Sequence, residues 1–444
     1  MRLLVFVLAG AIAAPSASAQ PVAFDRFEAA IALGDSAGAA YVSGRFAAAG
    51  PLFETVAGGA LGAERASALY NAACSYALAG QTADALRTLG GSVEAGWASD
   101  AHMQVDTDLA SVRAAPEWPR LVARSAENRT SAATRAASVD SVRIVTEDVP
   151  RFWAAYDRAL PALAARDTAA AADVFRRVYL DAGTAGLKWY TLMKVGGPRE
   201  LAAALMRYPA YYASIRQNTL ALPAAEPRIR AGMRSLTALY PDAAFPTVYL
   251  LIGALTSGGT ANGAGLLLGA EMNTAAPDSP LGELSPGRRG TIGTPEMLPH
   301  IVVHELVHAN QNMGGTWTLL RNALIEGGAD FLAGLALPGA PEAHYTTWGR
   351  QHDRAVWTRF MAEKDGEDYS EWTGNSGFRS DDWTGDVGYY VGAEICRGYY
   401  ERAADKAQAV RDLLEIRDPA AILAASGYAE RYASAPTTAV PAGE

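Results

Sequence analysis

The five residues His304-Glu305-Leu306-Val307-His308 constrain this chain more than any others. They lie in an apolar run over 301–309, with Pro295 and Pro299 before it and Gly314-Gly315 after it. Proline suits a first helical turn and glycine the residues past the last, so this punctuation predicts a helix with defined ends. Positions four apart on a helix sit one turn above the other on the same face. Both imidazoles therefore reach one point, where a zinc ion bound at about 2.0–2.1 Å satisfies them together. Glu305 projects beside them, placed to take a proton from a metal-bound water. Without a metal, two imidazoles and a carboxylate on an apolar helix each need another polar partner, which burial makes costly.

A zinc site that keeps an open position normally has three protein ligands. The continuation His-x-x-Gly-x-x-His is absent, because Gln311 stands at the Gly position and no histidine follows until His344. The remaining source is a glutamate on a second helix. A helix predicted over 319–335 carries Glu326, eighteen positions after His308, which leaves room for a helix end, a turn and the way back. Gly327 and Gly328 follow it, and each costs a helix roughly 1 kcal/mol relative to alanine. Two helices packed very closely around a shared ion would explain them.

His304-Glu305-x-x-His308 followed by Glu326-x-x-x-Asp330 resembles the gluzincin metallopeptidases. That resemblance implies Glu326 as third ligand and Asp330 as the acid that hydrogen-bonds a ligand histidine. Over 245–426 the chain also resembles a group of poorly characterised exported bacterial zinc peptidases. The matching features are the segment 248–253 with Ser257-Gly258-Gly259, 266–272, the two metal motifs, and Asp386-Val387-Gly388-Tyr389-Tyr390-Val391-Gly392. It departs from the best-known gluzincin pattern at Ile325, where an Asn usually precedes the glutamate. What the resemblance implies is an exported zinc peptidase acting on a peptide or protein substrate. Zn2+ would polarise the scissile carbonyl and Glu305 would act as base. An oxyanion donor is also required, with Tyr389 the first candidate and His352, Tyr390 and His344 behind it. The glycine-bearing strand over 265–271 is the candidate edge for an extended peptide. The alternatives are a partner-binding helical-repeat protein with a structural or inactive zinc site, and a zinc amidase acting on a non-protein amide.

The rest of the chain reads as mainly α with a small β-sheet. Over 20–124 alanines and larger apolar residues recur at spacings of three and four, broken by glycines. Ala73 and Ala77 permit close helix approach, and Gly80 turns the chain. This resembles tetratricopeptide-type helical hairpins, and it implies a helical module with a possible protein partner. Residues 125–140, rich in Ser, Thr, Ala and Arg, read as a linker. Asp148 reads as a helix N-cap ahead of Pro150. The clearest strands are 247–255 and 265–271, in a domain over 141–432 that the resemblance makes zincin-like; 433–444 read as a disordered tail.

Residues 1–19 carry Arg2, an apolar run over 3–14 and Ala17-Ser18-Ala19, the pattern of a secretory signal peptide, so the chain is expected to be exported, periplasmic or secreted. No cysteine follows that site, and no later stretch reads as a membrane span, the run over 245–270 being broken by Ser257, Gly258, Gly259, Asn262 and Gly263. With 47 acidic against 38 basic residues and no basic stripe, nucleic acid is not an expected partner. Cys74 and Cys396 are read as two buried free thiols.

Overall fold

The computed structural model describes residues 22–380 and 382–432, so the expected signal segment and the tail lie outside the described residues. The chain divides into two compact units, one of residues up to 223 together with 244–272, the other of 224–243 together with 273 onward. Helices dominate both, and a small mixed sheet belongs to the first.

The first unit begins with α1 (Phe24–Val42), α2 (Phe46–Gly59), α3 (Gly62–Leu78) and α4 (Thr82–Glu94), each packed on the next. Three of these helices end alike. At Gly44, Gly80 and Gly96 the backbone turns left-handed, with φ of 76°, 76° and 105°. In each case the glycine amide and the amide after it bond back to carbonyls of the last turn: Gly80 to Ala77 at 3.1 Å and Gln81 to Tyr76 at 2.8 Å, for example. These are glycine caps that satisfy carbonyls a helix end leaves without partners. Ala73 and Ala77 are buried between the helices, and Tyr70 stacks on Trp97 with ring centroids 4.0 Å apart.

The linker reading of 125–140 is corrected here. Residues Trp118–Ala137 form one helix, because alanine and arginine are good helix formers and the polar residues find work on its faces. Leu121 and Ser125 are buried, Asn128 donates to the Val93 and Trp97 carbonyls at the end of α4, and Arg129 pairs with Asp100 at 2.7 Å.

The sheet runs β1 (Ile144–Val145), β2 (Val248–Leu251), β4 (Gly265–Gly269), β3 (Gly259–Asn262), with β1 parallel to β2, β2 parallel to β4, and β3 antiparallel to β4. The glycine-bearing strand is therefore interior, not an edge open to a peptide; β3, too polar to read as a strand, covers it. Gly269 is needed for packing, since a Cβ there would lie 2.3 Å from the Ser257 carbonyl. Asp148 is not the cap either. Glu147 holds that position, while Asp148 is fully buried and accepts from the Thr184 hydroxyl and Arg151.

Just beyond β4, Glu271 is buried. One of its oxygens accepts from the Leu255 amide at 3.1 Å, and Leu255 takes a left-handed φ of 59° in the loop that closes over it. The other oxygen has no hydrogen-bond partner, and burial pushes this carboxyl up to about 7. Cys74 and Cys396 are both free and buried. Among the described residues no helix is long and apolar enough to cross a membrane.

Candidate metal centre

Three helices of the second unit build the site. The motif helix (Leu298–His308) starts with Pro299 in its first turn. The glycine helix (Leu319–Ala336) starts after Thr318, whose hydroxyl accepts from the Arg321 amide at 3.3 Å. The tyrosine helix (Val387–Arg402) starts after Asp386, a non-glycine residue with a left-handed φ of 60°. Asp386 is held there by an exchange with Asn375, each amide donating to the other's side chain at 3.1 and 2.8 Å.

The close packing implied by Gly327 exists, but with a different partner. A Cβ on Gly327 would fall 2.2 Å from the Ala393 nitrogen and 2.4 Å from the Tyr389 carbonyl; one on Gly392 would fall 1.7 Å from the Ala323 carbonyl. The glycine and tyrosine helices thus touch backbone to backbone, which brings Tyr389 beside Glu326. Gly328 faces Cys396 and Gln311 at ordinary contact distance.

His304, His308 and Glu326 offer ligand atoms within 4.8 Å of one another. The two Nε2 atoms are 3.0 Å apart, and Glu326 Oε2 lies 3.2 Å from His308 Nε2 and 3.8 Å from His304 Nε2. Ligands about 2.05 Å from a tetrahedral ion are separated by about 3.3 Å. The triangle therefore has the size such an ion requires.

Proton placement points the same way. His304 Nδ1 lies 2.8 Å from Asp330 Oδ1, and His308 Nδ1 lies 2.6 Å from Gln311 Oε1. Gln311 is fixed in that orientation because its amide nitrogen donates to the Ile325 carbonyl at 2.9 Å. Each acceptor can take the Nδ1 proton of its ring, which leaves the Nε2 atoms, facing each other and a carboxylate, able to offer lone pairs to an ion. Without an ion, protons on the rings hold the same groups together. Burial opposes a charge on His304, yet the Asp330 hydrogen bond and the charges of Asp330, Glu305 and Glu326 outweigh it, pushing the ring up to about 9. Glu326 is raised by burial, but the His308 hydrogen bond, both imidazoles and a Tyr389 hydrogen bond more than offset this and hold it below the usual carboxylate range.

The outer residues divide. Asp330 also accepts from the Tyr345 hydroxyl at 2.6 Å, which aims its other oxygen at His304. Tyr389 stands near Glu326 and lies nearly parallel to the His304 ring; burial, then the Glu326 and Asp386 charges, push its hydroxyl pKa up. Tyr390 is committed to Asp353 at 2.9 Å, exposed His352 stacks on Trp348, and His344 lies against Tyr345. Glu305 is half-buried beside His304. Gln311 and Tyr345 were not readable as site residues. The signal for Gln311 was present, since it falls three positions after His308 at the same helix end; nothing local marks Tyr345.

Two imidazoles and a carboxylate brought to one point on a mainly helical protein form a group that could hold a metal ion. The chain belongs to the gliding motility protein GldB family, whose model matches residues 202–430, just over half the chain and the whole of this site. No curated protein and no solved structure matches it.

Membership corrects the peptidase reading. The family is one of gliding-motility proteins, not of zincin metallopeptidases, so the gluzincin resemblance, the peptide- or amide-hydrolysing activity and the hydrolytic parts given to Glu305 and Tyr389 are set aside. The physical reason is that His-Glu-x-x-His spacing fixes metal donors on a helix, while the use made of a bound ion is decided by what surrounds it. The family's lipoprotein label agrees with an exported, envelope-associated protein.

Proposed function

We propose that this chain is a non-enzymatic, partner-engaging component of the cell envelope that serves gliding motility, with a Zn2+ ion bracing its C-terminal unit through His304, His308 and Glu326. One observation carries the reading: three lone-pair donors converge, and both imidazoles have their other nitrogen held by an acceptor. An ion there ties the end of the motif helix to the middle of the glycine helix. Asp330 and Gln311 orient the two rings, and Tyr389 orients the carboxylate.

The N-terminal helices act as a tetratricopeptide-like module for a protein partner. Support comes from the repeated glycine caps and from a groove of about 400 Å³ between α1 and α2, lined by Arg26, Leu33, Glu54 and Thr55. Its mixed charge suits a peptide segment rather than a nucleic acid. The placement is on the periplasmic face of the envelope or outside the cell.

The test has two parts. Purified full-length chain should contain about one zinc. Deleting the gene in its native host should abolish surface gliding, and the wild-type gene should restore it. A copy carrying His304→Ala and His308→Ala, present at the wild-type level, should not. Normal gliding by the deletion strain would sink the motility reading; restoration by the double variant would sink the role of the centre.

A further inference from the structure

We infer that the fourth coordination position of this centre is filled by a histidine side chain presented by a partner protein, with Glu305 as the hydrogen-bond acceptor for that ring. This rests on the zinc reading above and asks what the site takes from outside.

A closed structural zinc site uses four protein ligands. Here the cluster holds three, and no further His, Cys, Asp or Glu joins it among the described residues. The three are not sealed in. Their side chains keep 11, 18 and 23% exposure for His304, His308 and Glu326, so the open position can be approached from solvent.

Charge narrows what can enter. Glu326 ligates, Asp330 stands behind His304, and Glu305 acts electrostatically on the same ring. These three carboxylates already exceed a divalent ion by one charge. A carboxylate or thiolate from a partner would add to the excess, and an ammonium has no lone pair to give. A neutral imidazole is the side chain that binds zinc without adding negative charge.

Glu305 then acquires a place in the pattern. Each resident imidazole has an acceptor on its far nitrogen, Asp330 for one and Gln311 for the other. A third ring needs a third acceptor. The Glu305 side chain makes neither a hydrogen bond nor an ion pair among the described residues, and it stands one residue from a ligand. It is a positioning residue for the incoming ring, in the carboxylate–histidine–zinc arrangement.

The experiment uses full-length chain loaded with Co2+, whose visible absorption reports coordination. Imidazole should shift the spectrum at concentrations where acetate does not. Glu305→Ala should weaken the imidazole response about tenfold without changing metal stoichiometry, and Glu305→Gln, which keeps an acceptor oxygen, should recover part of it. The inference is overturned if imidazole leaves the spectrum unchanged, if acetate matches it, or if Glu305→Ala responds like wild type. A chain that binds neither cobalt nor zinc overturns the zinc reading, and this inference with it.

Discussion

Two places in this molecule gather three metal-capable side chains within 4.8 Å of one another, and they differ in where the protons are. In the N-terminal unit the cluster is Cys74, Asp106 and Asp108. There Asp106 accepts from the Tyr70 hydroxyl at 2.8 Å, the Cys74 thiol at 3.5 Å and the Asp108 amide at 3.0 Å, while Tyr41 donates to Asp108. These acceptors meet hydrogens, and burial together with the two carboxylates pushes the tyrosine and thiol pKa values up, so those hydrogens stay. In the C-terminal unit each ring has an acceptor on Nδ1, so Nε2 can be left free at the point of convergence. The lesson is that donor type and spacing nominate a site, and the proton inventory decides between a hydrogen-bonded knot and a place for an ion.

The largest expected effect follows directly. His304→Ala with His308→Ala should remove all bound zinc, measured by elemental analysis, whereas Cys74→Ser with Asp106→Asn should leave the stoichiometry unchanged. Zinc lost from the second variant would erase the distinction. Next, chelation should lower the thermal midpoint of the wild type but not of the double histidine variant. A ligand at a thousand times its Kd stabilises by about 4 kcal/mol, which sets the scale. Equal midpoints with and without chelator would mean that nothing is braced.

Glu271 sharpens the comparison as a third case, a buried carboxyl whose second oxygen meets neither a hydrogen nor an ion, which takes a proton itself. Its folded-state value of about 7 lies above the ordinary 4.5. The protonated form is therefore the one the fold favours. This stability is fully present below pH 4.5 and is lost as pH rises through about 7, on the order of 3 kcal/mol in all. Denaturant titrations at pH 5 and 8 should show the loss in wild type and little of it in Glu271→Gln; an equal loss in both proteins would refute the assignment. Smallest is Tyr70→Phe, which takes one proton from the N-terminal knot and should cost about 1 kcal/mol with no change in metal content.

The sequence exposed local relations and hid long-range ones. His304, Glu305 and His308 are legible because helical spacing alone puts them together, and the helix that carries Glu326 is legible from its apolar run. Gly327 announces a close approach without saying to what, since the partner, Gly392, lies a distant stretch of chain away. The helix over Trp118–Ala137 was masked by a polar composition that tertiary contacts put to use. The strand β3 was hidden by its polarity, and its pairing with β4 moved the expected edge inward. Above all, residues that could hold a metal say nothing about what a cell does with it, and there the spacing argument led to an enzyme the family does not support.

The contact between Gly327 and Gly392 also has a bearing on ancestry. A methyl group on either would collide with main chain that cannot move aside, at 2.2 Å in one case and 1.7 Å in the other. Substitution at either position therefore requires the two helices to move apart. A relative that keeps both histidines yet carries bulk at either glycine must have parted the two helices, and with them the company that Tyr389 keeps with Glu326.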